Sequence, residues 1–283
     1  MDKFIGRTGS LLRLALQEDI GTGDLATEAL RLHKVEGAAR LVAKADGVMS
    51  GLDVCFAVYG LLHPAMQYAP RKRAGDTLRK GVTLAEIMGP FDVLLTGERT
   101  ALNFLQHLSG VATLTRQYVE ALEGTGVRLL DTRKTAPGQR ALEKCAVRDG
   151  GGTNHRMGLF DMAMIKDNHI LAAGSITKAV QAAKAYIPAF TRIEVETTSL
   201  AQVEEALACQ VEIIMLDNMP LELMREAVAL IGHRAMTEAS GNVTLSTIRA
   251  IASTGVDFIS AGAITHSAPA LDISMQIKPL HEA

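Results

Sequence analysis

From Val127 onward the chain alternates short apolar runs with longer amphipathic ones. Val127 to Asp131, Ala163 to Lys166, Arg192 to Glu196, Ile213 to Asp217, Ala235 to Ala239 and Val256 to Ser260 suit short strands covered on both faces. Helical spacing fills most of the intervals, at Ser175 to Ala185, Leu200 to Ala208, Leu221 to Leu230 and Leu245 to Ala252. Such alternation predicts right-handed βαβ units and a parallel sheet. The number of units favours a small or incomplete (β/α) barrel over an open doubly wound sheet, and no GxGxxG follows the first strand to indicate dinucleotide binding.

The first part of the chain has a different pattern. Residues 10 to 18 carry leucines at helical spacing and stop at the turn-rich Asp19-Ile-Gly-Thr-Gly-Asp24. A strand is predicted over Ala38 to Ala45, a helix over Gly51 to Leu62, and β-like runs around Gly75-Asp76 and Leu84 to Met88. This is an α+β pattern. Glu98 to Leu122 is helical, and Ser109-Gly110 in its middle predicts two helices or a bend. The domain boundary is drawn there, giving residues 1–109 and 110–269.

Composition narrows the function class. With 283 residues, 48% hydrophobic and 21% charged, the chain can bury one large core or two smaller ones. A net charge of -2 gives no global attraction to nucleic acid or anionic membrane, so any anion must be held by a local cluster. Cys55, Cys145 and Cys209 are odd in number and lack a CxxC pair, which argues against a disulfide framework or a structural zinc site. No run approaches the ~20 apolar residues of a membrane span, and the N-terminus lacks a secretory pattern. A cytoplasmic location is expected.

Candidate chemistry sits at the strand ends. In order these supply Asp131-Thr-Arg133-Lys134, Lys166, Glu196, Asp217, Glu238 with Ser240-Gly241, and Ser260 with Gly262. The C-terminal ends of barrel strands meet at one mouth, the usual place for catalysis. Arg133, Lys134, His155, Arg156 and Lys166 can bind several carboxylate or phosphate oxygens. Glu196 and Asp217 can hold a divalent metal bridged to a phosphorylated ligand, or bond sugar hydroxyls. Ser240-Gly241-Asn242 and Ala261-Gly262-Ala263 look like backbone phosphate cradles opening helices. Gly150 to Gly152, just before His155 and Arg156, are expected to let a ligand approach the main chain. Glu194 and Glu196 share one strand face, so one of them can be a structural partner of a neighbouring lysine. His107, His169, His233 and His266 are expected to be ordinary satisfied or surface residues.

Several stretches together resemble the quinolinate phosphoribosyltransferases. They are Glu18 to Asp24, Glu98 to Gln106 with Ser109 to Thr113, Asp131-Thr-Arg-Lys-Thr-Ala-Pro-Gly138, Gly150 to Leu159, Ile165-Lys-Asp-Asn-His169, Glu194-Val-Glu196, Leu216-Asp-Asn218, Ser240-Gly-Asn242 and Gly255 to Ser260. The resemblance implies an α/β fold: an N-terminal α/β sandwich domain, then an incomplete (β/α) barrel, with a C-terminal tail of about residues 270–283 packing back on the first domain. It also implies transfer of the phosphoribosyl group of phosphoribosyl pyrophosphate to quinolinate with decarboxylation, giving nicotinate mononucleotide, pyrophosphate and CO2.

By the same resemblance, Arg99, Arg133, His155, Arg156 and Lys166 surround the dicarboxylate, with Lys134 contributing. Glu196 and Asp217 face the ribose hydroxyls and metal. The 5'-phosphate lies on Ser240, Gly241, Asn242 and Gly262, beside Ser260. Lys134, Lys166, Glu196 and Asp217 are the implied catalytic set. The implied cofactor is Mg2+, carried mainly by the substrate, with Glu196 and Asp217 as its candidate protein contacts. Arg99 is expected to serve the neighbouring site of a homodimer or higher homo-oligomer. Two departures stand out, Ala26 and the run Lys144 to Asp149, where Asp149 is expected to add negative charge beside the anion pocket. The alternatives are a molybdenum-associated paralogue of the same fold and a catalytically silent metabolite-binding protein.

Overall fold

A computed structural model describes residues 5–32 and 34–280. By contact density the chain divides into one unit of residues 1–116, 136–151 and 268–283 and another of residues 117–135 and 152–267.

In the first unit, helices α1 (Ile5–Ile20) and α2 (Leu25–Leu30) precede strands β1 (Glu36–Ala43) and β2 (Gly47–Val48). Asp24 ends the turn-rich stretch as the cap of α2, its carboxylate accepting from Thr27 N at 3.1 Å and Thr27 Oγ1 at 2.6 Å. Helix α3 (Leu52–Leu62), strands β3 (Gln67–Pro70), β4 (Thr77–Leu78) and β5 (Thr83–Pro90), and helix α4 (Phe91–Ala121) follow. Strand β1 is central in an antiparallel sheet, between β5 and a C-terminal strand, Ile273–Pro279. Leu41, Ala43, Leu84 and Ile87 from this sheet are fully buried, as are Val58 and Tyr59 of α3 and Leu94 and Leu105 of α4.

Helix α4 runs unbroken through Ser109-Gly110, as one helix, so of the two alternatives expected there the two-helix one is not realised. The small pair there serves close packing: Ser109 Oγ donates to Ser50 O at 2.9 Å, and a Cβ on Gly110 would collide with the Pro269 carbonyl. Gly150 is likewise explained within the first unit, because a Cβ would meet Ala112 O at 2.5 Å and Thr115 Cβ at 2.6 Å. It closes α5 (Arg140–Asp149) with φ -73, and its smallness admits α4 rather than a ligand.

The second unit holds six parallel strands: β6 (Arg128–Leu130), β7 (Ala163–Ile165), β8 (Ile193–Thr197), β9 (Ile213–Asp217), β10 (Met236–Ser240) and β11 (Phe258–Ser260). Helices α6 (Asp167–Ala173), α7 (Ile176–Tyr186), α8 (Leu200–Ala208), α9 (Leu221–Ile231) and α10 (Ile248–Ala252) connect them, and α11 (Ala263–His266) follows β11. Ser175 and Ser199 cap α7 and α8.

The strand order β6-β11-β10-β9-β8-β7 shows how far the barrel closes. The last strand has come round to the first, so the remaining gap lies between β6 and β7. Beside β6 the backbone of Thr153 takes a strand's place, with Thr153 N donating to Leu129 O at 2.9 Å and Asp131 N to Thr153 O at 3.2 Å. That bridge carries Asn154, His155 and Arg156 into the opening.

The C-terminal strand β12 (Ile273–Pro279) completes the first unit's sheet, and residues 281–283 of the expected tail lie outside the described residues. The three cysteines are free. Among the described residues no helix is long and apolar enough to cross a membrane.

Candidate active site

Period-two alternation gives each barrel strand two inward side chains near its C-terminal end. Strand β8 offers Glu194 and Glu196, β9 offers Met215 and Asp217, and β10 offers Glu238 and Ser240. Met164 and Lys166 play the same parts on β7. The parallel register that sets Met164 beside Glu194 brings Lys166 level with Glu196, and Lys166 Nζ lies 2.9 Å from Glu196 Oε2. Glu196 is thus the acid with a lysine partner.

These side chains surround a cavity of about 640 Å3. It is lined by Arg133, Lys134, His155, Arg156 and Lys166, by Glu196 and Asp217, and by Ser240, Gly241, Asn242, Ser260 and Gly262. The catalytic and substrate-binding residues that the sequence named within the second unit therefore all line it. Arg99 is exposed on α4 in the first unit. Asp131 departs from its expected place at the mouth, being fully buried. Its carboxylate accepts from Asn154 Nδ2 at 2.6 Å and from His155 N at 2.8 Å, so it fixes the bridging segment instead of meeting a ligand. Asp149, at the end of α5, accepts from Ser50 Oγ at 2.7 Å and does not line this cavity.

The two loops at the last strand ends are shaped by steric demand. Gly241 has φ +101, and a Cβ would strike the Asn218 side chain. Asn218 and Asn242 have φ 52 and 50, a left-handed region that asparagine tolerates better than most residues. Asn218 links the loops, donating to Asp217 Oδ2 at 2.8 Å and accepting from Asn242 Nδ2 at 3.0 Å. The Ser240 loop does not open a helix directly, since α10 starts only at Ile248. Gly262 precedes the short α11, where a Cβ would press on Lys134 Cδ at 2.9 Å. Thr265 Oγ1 donates to Lys134 O at 2.7 Å and holds that lysine's backbone beside Gly262.

His155 lies deepest. Its side chain is only 7% exposed, and Nε2 is 3.2 Å from both Glu194 Oε2 and Glu238 Oε2. On the other side of the ring, Arg156 N donates to Nδ1 at 2.7 Å. Nδ1 must offer a lone pair there, so this geometry identifies the ring with its proton on Nε2. Burial opposes a second proton while Glu194 and Glu238 favour it and move the imidazole pKa upward, but the 2.7 Å bond from Arg156 N engages the Nδ1 lone pair and holds the ring in its neutral Nε2–H form. Taking that proton would cost the bond from Arg156. Burial pushes the Glu194 carboxyl up to about 7 against the opposing bond from His155, with Glu238 adding to the rise.

His155, Glu194 and Glu238 could in principle hold a metal ion. A metal on Nε2 would displace the proton that the Nδ1 acceptor role requires there, so the tautomer speaks against it. For Arg156, burial and then the neighbouring Arg133 lower the pKa, while Glu194 and Asp161 oppose them. The guanidinium stays charged at neutral pH.

Sequence reasoning left several lining residues unassigned. His266, expected to be an ordinary surface residue, is exposed but opens onto the cavity. Asn218 was legible only as part of Leu216-Asp-Asn218. His169 is satisfied locally, its Nδ1 accepting from Lys166 N at 3.0 Å, and His107 Nε2 pairs with buried Glu143 at 2.8 Å.

A cavity lined by several cations, by carboxylates and by two glycine-containing loops at the last strand ends can take a polyanion carrying a sugar phosphate. The chain matches the family described as quinolinate phosphoribosyl transferase, the N-terminal domain over residues 24–109 and the C-terminal domain over 111–276. It is 52% identical over 265 residues to a probable nicotinate-nucleotide pyrophosphorylase [carboxylating] of Synechocystis, covering 93% of this chain and 90% of that one. It is 44% identical to the probable enzyme of the same name from Bacillus subtilis, covering 96% and 94%. The fold superimposes on NadC from Streptococcus pyogenes with a TM-score of 0.94 and 44% identity, covering 99% of this chain and 100% of the other. Sequence, fold and cavity agree, and the chain belongs to the quinolinate phosphoribosyl transferase family.

Proposed function

We propose that this chain transfers the phosphoribosyl group of phosphoribosyl pyrophosphate to quinolinate and decarboxylates the product, forming nicotinate mononucleotide, pyrophosphate and CO2 in NAD synthesis. The observation that carries the reading is the single cavity shared by Arg133, Lys134, Arg156 and Lys166, Glu196 and Asp217, and the Ser240 and Gly262 loops. A silent binding protein would have no need to keep the cations and the carboxylates together.

The residues divide the work by charge. Arg133 and Arg156, with Lys166, take the two carboxylates of quinolinate, the arginines as planar forks and the lysine as a compact charge. The Ser240-Gly241-Asn242 and Gly262 loops receive the 5'-phosphate. Glu196 and Asp217 face the ribose, where positive charge develops at the anomeric carbon as its bond to pyrophosphate breaks. The pyridine nitrogen supplies the new bond. In the resulting pyridinium, the adjacent C–C bond to the carboxylate breaks, the electron pair stays on the ring carbon beside the cationic nitrogen, and that carbon then takes a proton. The protein contributes mainly positioning and charge stabilisation.

The half-buried carboxylates of Glu196 and Asp217 are oxygen donors of the kind Mg2+ accepts. Mg2+ brought in with the pyrophosphate substrate would neutralise charge on the leaving group, touched by these two side chains. Exposed Arg99, within a stretch that carries the family resemblance, fits contribution to the site of a second copy in a homodimer or larger homo-oligomer. A cytoplasmic enzyme is the setting proposed for this chemistry.

The test is formation of nicotinate mononucleotide from quinolinate, with nicotinate and nicotinamide as comparison substrates. Turnover confined to quinolinate is expected. Turnover of nicotinate or nicotinamide in preference to quinolinate, or none with any of the three, would overturn the reading.

A further inference from the structure

Glu238, which lines the cavity, and Glu194 beside His155 are two acids to which the proposed reaction gives no role. Glu194 and Glu238 are 0% and 1% exposed. Burying two carboxylates is costly, and they face one ring nitrogen with one proton to share. Both oxygens of Glu194 and Oε1 of Glu238 lack an aligned hydrogen-bond partner among the described residues. Such an arrangement is retained only if something else depends on it.

What depends on it lies on the other side of the imidazole. The ring passes the constraint on, since an Nε2–H directed at the acids leaves the Nδ1 lone pair facing Arg156 N at 2.7 Å. Arg156 is thereby fixed at its backbone, while its guanidinium donates to Met162 O at 3.1 Å and stands 3.5 Å from Met164 Sδ. Asp131 secures the same segment from the preceding residue, through His155 N and Asn154 Nδ2. The segment bridges the open side of the barrel and has strand pairing only at Thr153. Side-chain bonds must therefore do what a sheet does elsewhere.

We propose that Glu238, which accepts from Nε2–H, and Glu194, whose carboxylate lies 3.2 Å from the same nitrogen, are positioning residues that hold the His155 ring and, through Nδ1 and the Arg156 backbone, aim the Arg156 guanidinium at the substrate carboxylates. Neither acid touches substrate. The pair also explains why His155 contributes no ring nitrogen to the cavity in this geometry: both nitrogens are occupied. This inference rests on the quinolinate reading of the cavity and deepens it.

The test compares Glu238→Gln with Glu238→Leu, and Glu194→Gln with Glu194→Leu, in the full-length chain. A glutamine oxygen can still accept from Nε2–H, and a leucine cannot. The leucine variants should raise the KM for quinolinate by about ten- to a hundredfold, a misplacement effect, with the KM for phosphoribosyl pyrophosphate within about threefold of wild type. The glutamine variants should restore most of the quinolinate KM. A merely structural role would move both KM values together. Folded leucine variants with an unchanged quinolinate KM would overturn the proposal.

Nitrogen NMR of the histidine rings in the wild-type protein gives an answer that does not depend on the variants folding. His155 should show the neutral form protonated at Nε2, with Nδ1 as an acceptor. A ring protonated at Nδ1, as the neutral tautomer or as the imidazolium, would overturn the proposal. If wild type itself makes no nicotinate mononucleotide, the quinolinate reading fails. If wild type is active and the leucine variants match it, only the positioning role fails.

Discussion

Lys166 Nζ lies 2.9 Å from Glu196 Oε2, tying the end of one barrel strand to the end of the next across the cavity mouth. The side chains are 42% and 13% exposed, so water screens the pair and its contribution to stability is small, about 0–1 kcal/mol. The contact fixes the orientation of both side chains at the cavity. Lys166→Ala should lower kcat/KM by at least about a hundredfold. Thermal melting should change little. A variant that melts normally and turns over like wild type would remove Lys166 from the site.

Arg133→Ala and Arg156→Ala should each chiefly abolish recognition of the dicarboxylate. Deleting one partner of a charged, partly dry contact costs about 2–5 kcal/mol, which is roughly thirtyfold to several thousandfold in affinity. Calorimetric titration with quinolinate reads this directly, with circular dichroism checking the fold. Unchanged binding in both variants would show that the dicarboxylate lies elsewhere.

Turnover should require a divalent metal. Glu196 is already paired with Lys166, and Asp217 accepts from Asn218, so the two carboxylates do not form a dedicated metal cage. The ion should therefore enter with the pyrophosphate, and its dependence should track that substrate's concentration. Activity is expected to vanish in excess chelator and return with Mg2+. Full turnover in chelator, with metal content checked by elemental analysis, would contradict this.

Gly110→Ala tests the packing of α4. The Cβ would run into the Pro269 carbonyl, and because backbone cannot swing aside as a side chain can, destabilisation of about 1–3 kcal/mol or more is expected. Gly60→Ala in α3 is the comparison. Its Cβ would meet only Tyr68 Oη, at 3.7 Å, so relief of glycine's entropic cost should leave stability unchanged or up to about 1 kcal/mol higher. Equal melting temperatures for the two variants would refute the close-packing account.

That glycine also shows where a sequence can mislead. Ser109-Gly110 carries the same local signal whether a helix breaks or another segment presses against it, and only the tertiary contact decides. The barrel was legible because β8, β9 and β10 are buried on both faces and their helices have one apolar face, so period and composition agree. Strand β3 was not, since none of its four residues is buried. Helix α5 was obscured by charge, as Glu143 and Lys144 are fully buried within it. Alternation put Glu194 and Glu238 on inward faces but could not give their depth. Their partnership with His155 depends on the gap between β6 and β7, which local pattern does not specify.

The last prediction concerns assembly. Arg99 is exposed on α4 and falls in Glu98 to Gln106, one of the stretches that carry the family resemblance. An exposed arginine in such a stretch fits a role in the site of a second copy, which makes a two-fold dimer the smallest competent form. Consider dimers mixed from Arg99→Ala and Lys166→Ala chains, each inactive alone. In a mixed dimer, one site has its own Lys166 and its partner's Arg99, while the other lacks both. Random reassortment makes about half of the dimers mixed, so roughly a quarter of wild-type activity should return. Native mass spectrometry would establish that mixed dimers had formed. Activity that stayed at the level of the single variants would mean that Arg99 acts within its own chain or takes no part.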